Sequence, residues 1–151
     1  MEIAETVSKM SSAKRLQVGA IVVKDNRIIS IGYNGTPSGW DNNCESKEWM
    51  PEGCLHPDEY PEEEYSDYGY AVVGKYKLKT KPEVIHAEAN AIMKLAGSSE
   101  SGNGATMFLT HTPCMDCAKL IYGSGIREVF YNNEYRDNLG IEFLRKSGVS
   151  I

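Results

Sequence analysis

Two short clusters of metal-capable side chains, His86-Ala-Glu88 and Pro113-Cys-Met-Asp-Cys117, constrain this chain more than any other feature. Each stands at the start of a predicted helix, and an apolar strand, Thr106 to Thr110, precedes the second. A fold that hosts both must let two helix starts face one another. The flanking sequence supplies the remaining pieces. Val18 to Lys24 has the apolar density of a buried strand, Asp25-Asn26 is a turn, and Arg27 to Tyr33 returns as the partner strand of a hairpin. Ala87 to Leu95, Cys114 to Tyr122 and Asn138 to Lys146 read as helices, the first two ending at Gly97 and Gly123, and Arg127 to Tyr131 reads as a further strand. Residues 2–16 add an N-terminal helix with Ile3, Val7 and Met10 on one face. A hairpin followed by alternating helices and strands predicts an α/β fold, with three layers (α/β/α) around a mixed sheet of about five strands.

Neither an internal repeat nor a Gly/Ser/Pro linker divides the chain, and 151 residues suit one domain, 1–151, with an insertion at about 41–83. Asp41 to Asp67 holds ten acidic residues and one Lys, after which Lys75, Lys77, Lys79 and Lys81 recur at period two. The insertion therefore carries a short hairpin of its own, and its lysines read as a solvated or edge-protecting face in preference to a triphosphate contact. A net charge of −5 disfavours nucleic acid as a partner. The chain has no run of about 20 apolar residues, and its first ten residues lack the pattern of a signal peptide, so the expectation is a soluble, cytoplasmic protein with no membrane partner. In that compartment the four cysteines, clustered beside histidines, point to reduced thiolates holding metal rather than to disulfides.

His86, Cys114 and Cys117 match a zinc site that lacks its fourth protein ligand, which is the arrangement of a catalytic ion with a position open to water. Helix starts favour thiolate over thiol, and Pro113 sits where no backbone donor is needed. Glu88 borders the same pocket as a carboxylate free of the metal, able to take a proton from water whose pKa the ion lowers to about 7. Cys44, Cys54 and His56 form a second cluster in the insertion. As a structural zinc site it is one ligand short, with His111 or Asp58 as candidates to complete it; the alternative is two buried or idle cysteines and a surface His. Arg127, which opens a strand, is a candidate phosphate contact.

His-x-Glu followed by Pro-Cys-x-x-Cys is the signature of zinc deaminases. Over residues 14–40 and 84–135 the chain resembles the cytidine deaminase superfamily, and within it the deoxycytidylate (dCMP) deaminase branch. The resemblance extends to Val18-Gly-Ala, Ile31-Gly-Tyr-Asn-Gly-Thr-Pro37, Cys117-Ala-Lys-Leu-Ile121 and Gly125-Ile-Arg-Glu-Val129. It implies a cytidine-deaminase-like fold, zinc on His86, Cys114 and Cys117, and Glu88 shuttling protons as dCMP becomes dUMP and ammonia. It further implies that Asn34 orients the deoxyribose, backbone at Ala87 meets the base edge, Tyr135 borders the sugar or phosphate, and Thr36 joins the substrate contacts. Gly32, Tyr33, Asn34 and Gly35 correspond to a loop tied to a regulatory nucleotide. The implied assembly is a hexamer, activated by dCTP and inhibited by dTTP, with Mg²⁺ on the effector. Thr112, where many relatives carry a bulkier residue, bears on pocket depth. Three alternatives stand beside this reading: a dual dCMP/dCTP deaminase, a tRNA adenosine deaminase, which the acidic charge opposes, and a non-catalytic zinc-stabilised nucleotide-binding module.

Overall fold

The computed structural model describes residues 1–49, 62–67, 70–135 and 137–151. Eleven elements follow one another: α1 (Glu2–Ser8), β1 (Gly19–Lys24), β2 (Arg27–Tyr33), β3 (Glu45–Trp49), β4 (Glu62–Asp67), β5 (Tyr70–Thr80), α2 (Ala87–Ala96), β6 (Thr106–His111), α3 (Met115–Gly123), β7 (Glu128–Asn133) and α4 (Leu139–Lys146). Among the described residues the central sheet has four strands in the order β2-β1-β6-β7, one fewer than the count expected. A fifth is present only as a single parallel bridge between Ser150 and Glu128. Antiparallel pairing of β1 with both β2 and β6, and parallel pairing of β6 with β7, make the sheet mixed.

The Asp25-Asn26 turn forms where the sequence places it, with φ of 49° and 57°, the left-handed pair that matches the twist of a two-residue hairpin. Pleating then sorts β1 between two cores. Ala20 and Val22 face a large cluster with Ala91 and Leu95 of α2, Met107 and Leu109 of β6, Ile121 of α3 and Leu144 of α4. Ile21 faces the opposite side, where Ala4 and Val7 of α1 cover it. The helices thus lie on both faces, as the α/β reading requires. The N-terminal helix is shorter than expected and turns differently, for Ile3 and Met10 are exposed while Ala4 and Val7 are buried. Gly19 explains why. A methyl there would overlap the Ala4 carbonyl and come within 2.7 Å of the Ser8 nitrogen, so α1 lies flush on the strand along its small-residue side.

The insertion contributes a second sheet, β3-β5-β4, antiparallel throughout. Its lysine-bearing strand, β5, is central rather than an edge, which overturns the edge-protecting reading. Lys77 and Lys79 lie 3.6 and 3.9 Å from the Glu48 carboxylate on the neighbouring strand. At the base of this sheet Glu45 is buried, and its Oε1 accepts hydrogen bonds from the backbone N–H groups of Lys14 and Arg15 at 3.0 and 3.1 Å. The segment leading into β1 is thereby tied to the insertion. Cys44 is buried against Ala13 and Val84, its Sγ 3.5 Å from the Ser12 hydroxyl. Cys54, His56 and Asp58 lie outside the described residues. No helix among the described residues is long and apolar enough to cross a membrane.

Candidate active site

The C-terminal end of β6 and the starts of α2 and α3 meet at one cavity. His86 caps α2 in an extended conformation (φ −69°, ψ 153°), and Cys114 caps α3 in the same way (φ −68°, ψ 169°). Neither ligand lies in helical backbone, which frees both side chains to turn toward each other. Cys117 follows one turn into α3 and is buried. The His86 Nδ1 atom is 3.4 Å from Cys117 Sγ and 3.7 Å from Cys114 Sγ, and the three ligand atoms lie within 4.8 Å of one another. Zn–S bonds of about 2.3 Å and Zn–N bonds of about 2.0–2.1 Å at a tetrahedral angle put nitrogen and sulfur roughly 3.6 Å apart. The donor set and its spacing therefore fit a zinc ion held through His86 Nδ1, Cys114 and Cys117. His86 and Cys114 are exposed toward the cavity, leaving the fourth direction open.

The hydrogen bond between the two thiols drives their proton affinities apart. The Cys114 pKa is pulled down to about 3, first by the hydrogen bond from the Cys117 thiol, then by His86, against the opposing effect of burial. Cys117 is pushed far up, mainly because it holds the proton that Cys114 gives up, and further by burial. The pair shares one proton, and a cation in its place would leave both as thiolates. Glu88 is 4% exposed, and burial raises its pKa above the ordinary carboxylate value, opposed by a backbone N–H and by His86. A carboxyl group biased toward holding a proton at the wall of the metal pocket is suited to proton transfer.

The cavity is also walled by Leu16, Val18, Asn34, His111, Thr112 and Tyr135. Asn34 is held on both sides, its Nδ2 donating to the Leu16 carbonyl at 2.9 Å and its Oδ1 accepting the Val18 N–H at 2.8 Å. Each such bond contributes about 1 kcal/mol, and the Val18 N–H left behind would be poorly paired. Asn34→Ala should thus destabilise the protein by about 2–3 kcal/mol in chemical denaturation, and a loss below 0.5 kcal/mol would mean the staple carries no weight. Thr112 is buried, and its hydroxyl accepts the Tyr135 N–H at 2.9 Å, joining the loop before Cys114 to the chain after β7. His111 reaches the same cavity with Nδ1 3.1 Å from the Thr110 hydroxyl, and burial lowers its pKa. It is not part of the His86, Cys114 and Cys117 group, and Cys54 and His56, the residues expected to join it to Cys44, lie outside the described residues.

Several expected site residues fall elsewhere. Arg127 precedes β7, whose parallel pairing with β6 runs from Thr106 opposite Glu128 to His111 opposite Asn133. Arg127 is exposed at the far end, about 20 Å of strand from the cavity, and the expectation of a phosphate contact is corrected by the direction of that pairing. The Thr36 hydroxyl donates to the Asp41 carbonyl, and Thr36 is not among the residues lining the cavity. Gly32 is buried in β2 against α2, the Tyr33 carbonyl accepts a hydrogen bond from Asn90 Nδ2 at 2.8 Å, and Gly35 pairs with Ile85 through two backbone hydrogen bonds. Ala87, fully buried, lines the cavity beside His86. Leu16, Thr80, Val84 and Asp137 also line it, and no local motif marks them, since they come from chain segments that meet only on folding.

Three soft ligands with an open side, and a buried carboxyl beside them, define a metal-assisted hydrolase. A sequence profile for the cytidine and deoxycytidylate deaminase zinc-binding region matches residues 1–133, and the chain belongs to that family. It is 35% identical to the deoxycytidylate deaminase of Enterobacteria phage T4, covering all of this chain and 86% of that one. The human deoxycytidylate deaminase is 36% identical over 91% of this chain and 65% of its own length. Among solved structures, the dCMP deaminase from cyanophage S-TIM5 in complex with dCMP and dUMP superposes with a TM-score of 0.75 at 40% identity, covering 99% and 89% of the two chains.

Proposed function

We propose that this protein hydrolyses dCMP to dUMP and ammonia. The observation that carries the reading is the triangle of His86, Cys114 and Cys117 with Glu88 buried at its side, in a cavity that Asn34 and Tyr135 also wall. The likeness to named dCMP deaminases, 35–40% identical across nearly the whole chain, supports the choice of substrate.

Zinc held by the three ligands supplies Lewis acidity that makes water nucleophilic near neutral pH. Glu88 takes the proton that water gives up on attacking C4 of the base, and delivers it to N3. It then transfers the second proton of the water to the exocyclic nitrogen, ammonia leaves from C4, and the carbonyl of dUMP remains. One water is consumed and one ammonia released, with no redox change. The raised proton affinity of Glu88 suits it to take the proton that water gives up. Asn34, fixed by its two backbone partners, offers its remaining hydrogen-bonding capacity to the deoxyribose, and the backbone at Ala87 offers hydrogen bonds to the base edge.

The same reading includes activation by dCTP and inhibition by dTTP, each with Mg²⁺, in a hexameric and cytoplasmic enzyme. Its support is the sequence Gly32-Tyr-Asn-Gly35. Ammonia release should be measured with dCMP, dCTP, deoxycytidine and a tRNA substrate, with and without each triphosphate at low dCMP. Turnover of dCMP above all others is expected, with opposite responses to dCTP and dTTP. Equal turnover of dCTP would make the enzyme a dual deaminase, and no turnover by zinc-loaded protein would make it a binding module.

A further inference from the structure

The two helix starts that carry the metal ligands are each pressed from behind by a glycine. Gly32, in β2, lies against α2, where a methyl group would overlap the Ala87 carbonyl oxygen and stand 2.6 Å from the Ala91 nitrogen. Gly140, in the first turn of α4, lies against the loop into α3, where a methyl would overlap the Pro113 carbonyl oxygen and come within 3.0 Å of the carbonyl carbon and oxygen of Cys114. Ala87 follows His86, and Pro113 precedes Cys114. Each obstruction is backbone next to a ligand, and a Cβ essentially never sits within 3.0 Å of such atoms, so the separation between the glycine's segment and the ligand-bearing segment would have to grow.

The two segments have little freedom to yield elsewhere. Asn90 donates to the Tyr33 carbonyl and the Ser30 hydroxyl donates to the Ala91 carbonyl, both at 2.8 Å, which ties α2 to β2 on either side of Gly32. Thr112 donates its N–H to the Asn133 carbonyl at 2.9 Å and shares a hydrogen bond with Tyr135, which ties the Cys114 loop to the chain leading into α4. A zinc site holds its ligand distances to about 0.2 Å, less than the displacement a methyl would force at either position.

We propose that Gly32 and Gly140 are positioning residues that set the separation of His86 from Cys114 and Cys117, and with it zinc affinity. The inference rests on the zinc reading of the site and not on the choice of substrate. Gly19 provides the control. Its missing methyl is pressed as tightly against the Ala4 carbonyl, but α1 carries no ligand.

Zinc affinity should be measured by chelator competition on wild type, Gly32→Ala, Gly140→Ala and Gly19→Ala, with unfolding midpoints measured in parallel. Where an apo-variant is unfolded, folding followed by circular dichroism against zinc concentration gives an apparent affinity, and the folding free energy of that apo-variant, measured in a stabilising osmolyte and extrapolated to buffer, is subtracted from it before comparison. All three variants should lose stability. Gly32→Ala and Gly140→Ala should bind zinc at least tenfold more weakly than wild type, and Gly19→Ala within twofold of it. Wild-type affinity in either site variant, an equal loss in Gly19→Ala, or a site variant that folds at no zinc concentration while Gly19→Ala folds, would assign the glycine to general packing and overturn the proposal. None of these readings uses turnover. Wild-type protein that binds zinc but leaves dCMP unchanged would sink the substrate reading and leave this one standing.

Discussion

Glu88→Gln protein should bind one zinc per chain at the active site as wild type does, unfold at nearly the same denaturant concentration, and lose at least about a thousandfold in kcat for dCMP. The carboxamide has the shape of the carboxyl group and fits the same buried position. It cannot take a proton from water or return one to N3, so both transfers lose their carrier while the metal ligands stay in place. The contrast between intact zinc and absent turnover is the discriminating feature, since a purely structural zinc site has no use for an ionisable carboxyl group at its open side. Zinc content by atomic absorption and ammonia release by a coupled assay measure the two halves. A kcat within tenfold of wild type would remove Glu88 from the mechanism.

Replacing Cys117 by Ala should have the opposite signature. Cys117 is buried and Cys114 is held as a thiolate beside it, so its loss leaves two ligands and an unbalanced site. Zinc should fall below stoichiometric binding after dialysis, and turnover should fall to background. Zinc that binds the folded state only, present at a thousandfold over its Kd, adds about 4 kcal/mol to wild-type stability. Added zinc should therefore raise the wild-type unfolding midpoint strongly and leave that of Cys117→Ala unchanged. A variant that still gained stability from zinc and still turned over substrate would require a different set of ligands.

Local chemistry made much of this molecule readable in advance. The Asp25-Asn26 turn, the bounds of β2 and the starts of α2 and α3 follow from turn preference, alternation and helix-forming runs, all of which act over a few residues. The metal ligands were legible for a similar reason. Cys117 lies in the first turn of α3, and His86 and Cys114 both stand at caps, where backbone geometry frees the side chain.

What depends on pairing between distant segments could not be read that way. Arg127 opens a strand next to an active-site strand, but the parallel register of β6 and β7 decides which end faces the cavity. Ile3 and Met10 satisfy a helical period with Val7, yet the flush seat of α1 on Gly19 selects Ala4 instead. Glu45 looks like one more acid in an acidic stretch until folding brings Lys14 and Arg15 to its carboxylate. The residue types in a short window state which groups can bind a metal, turn the chain or move a proton. How far apart those groups stand is set by backbone contacts such as Gly32 on Ala87 and Gly140 on Pro113, which join segments far apart in the chain and exist only once the layers have packed.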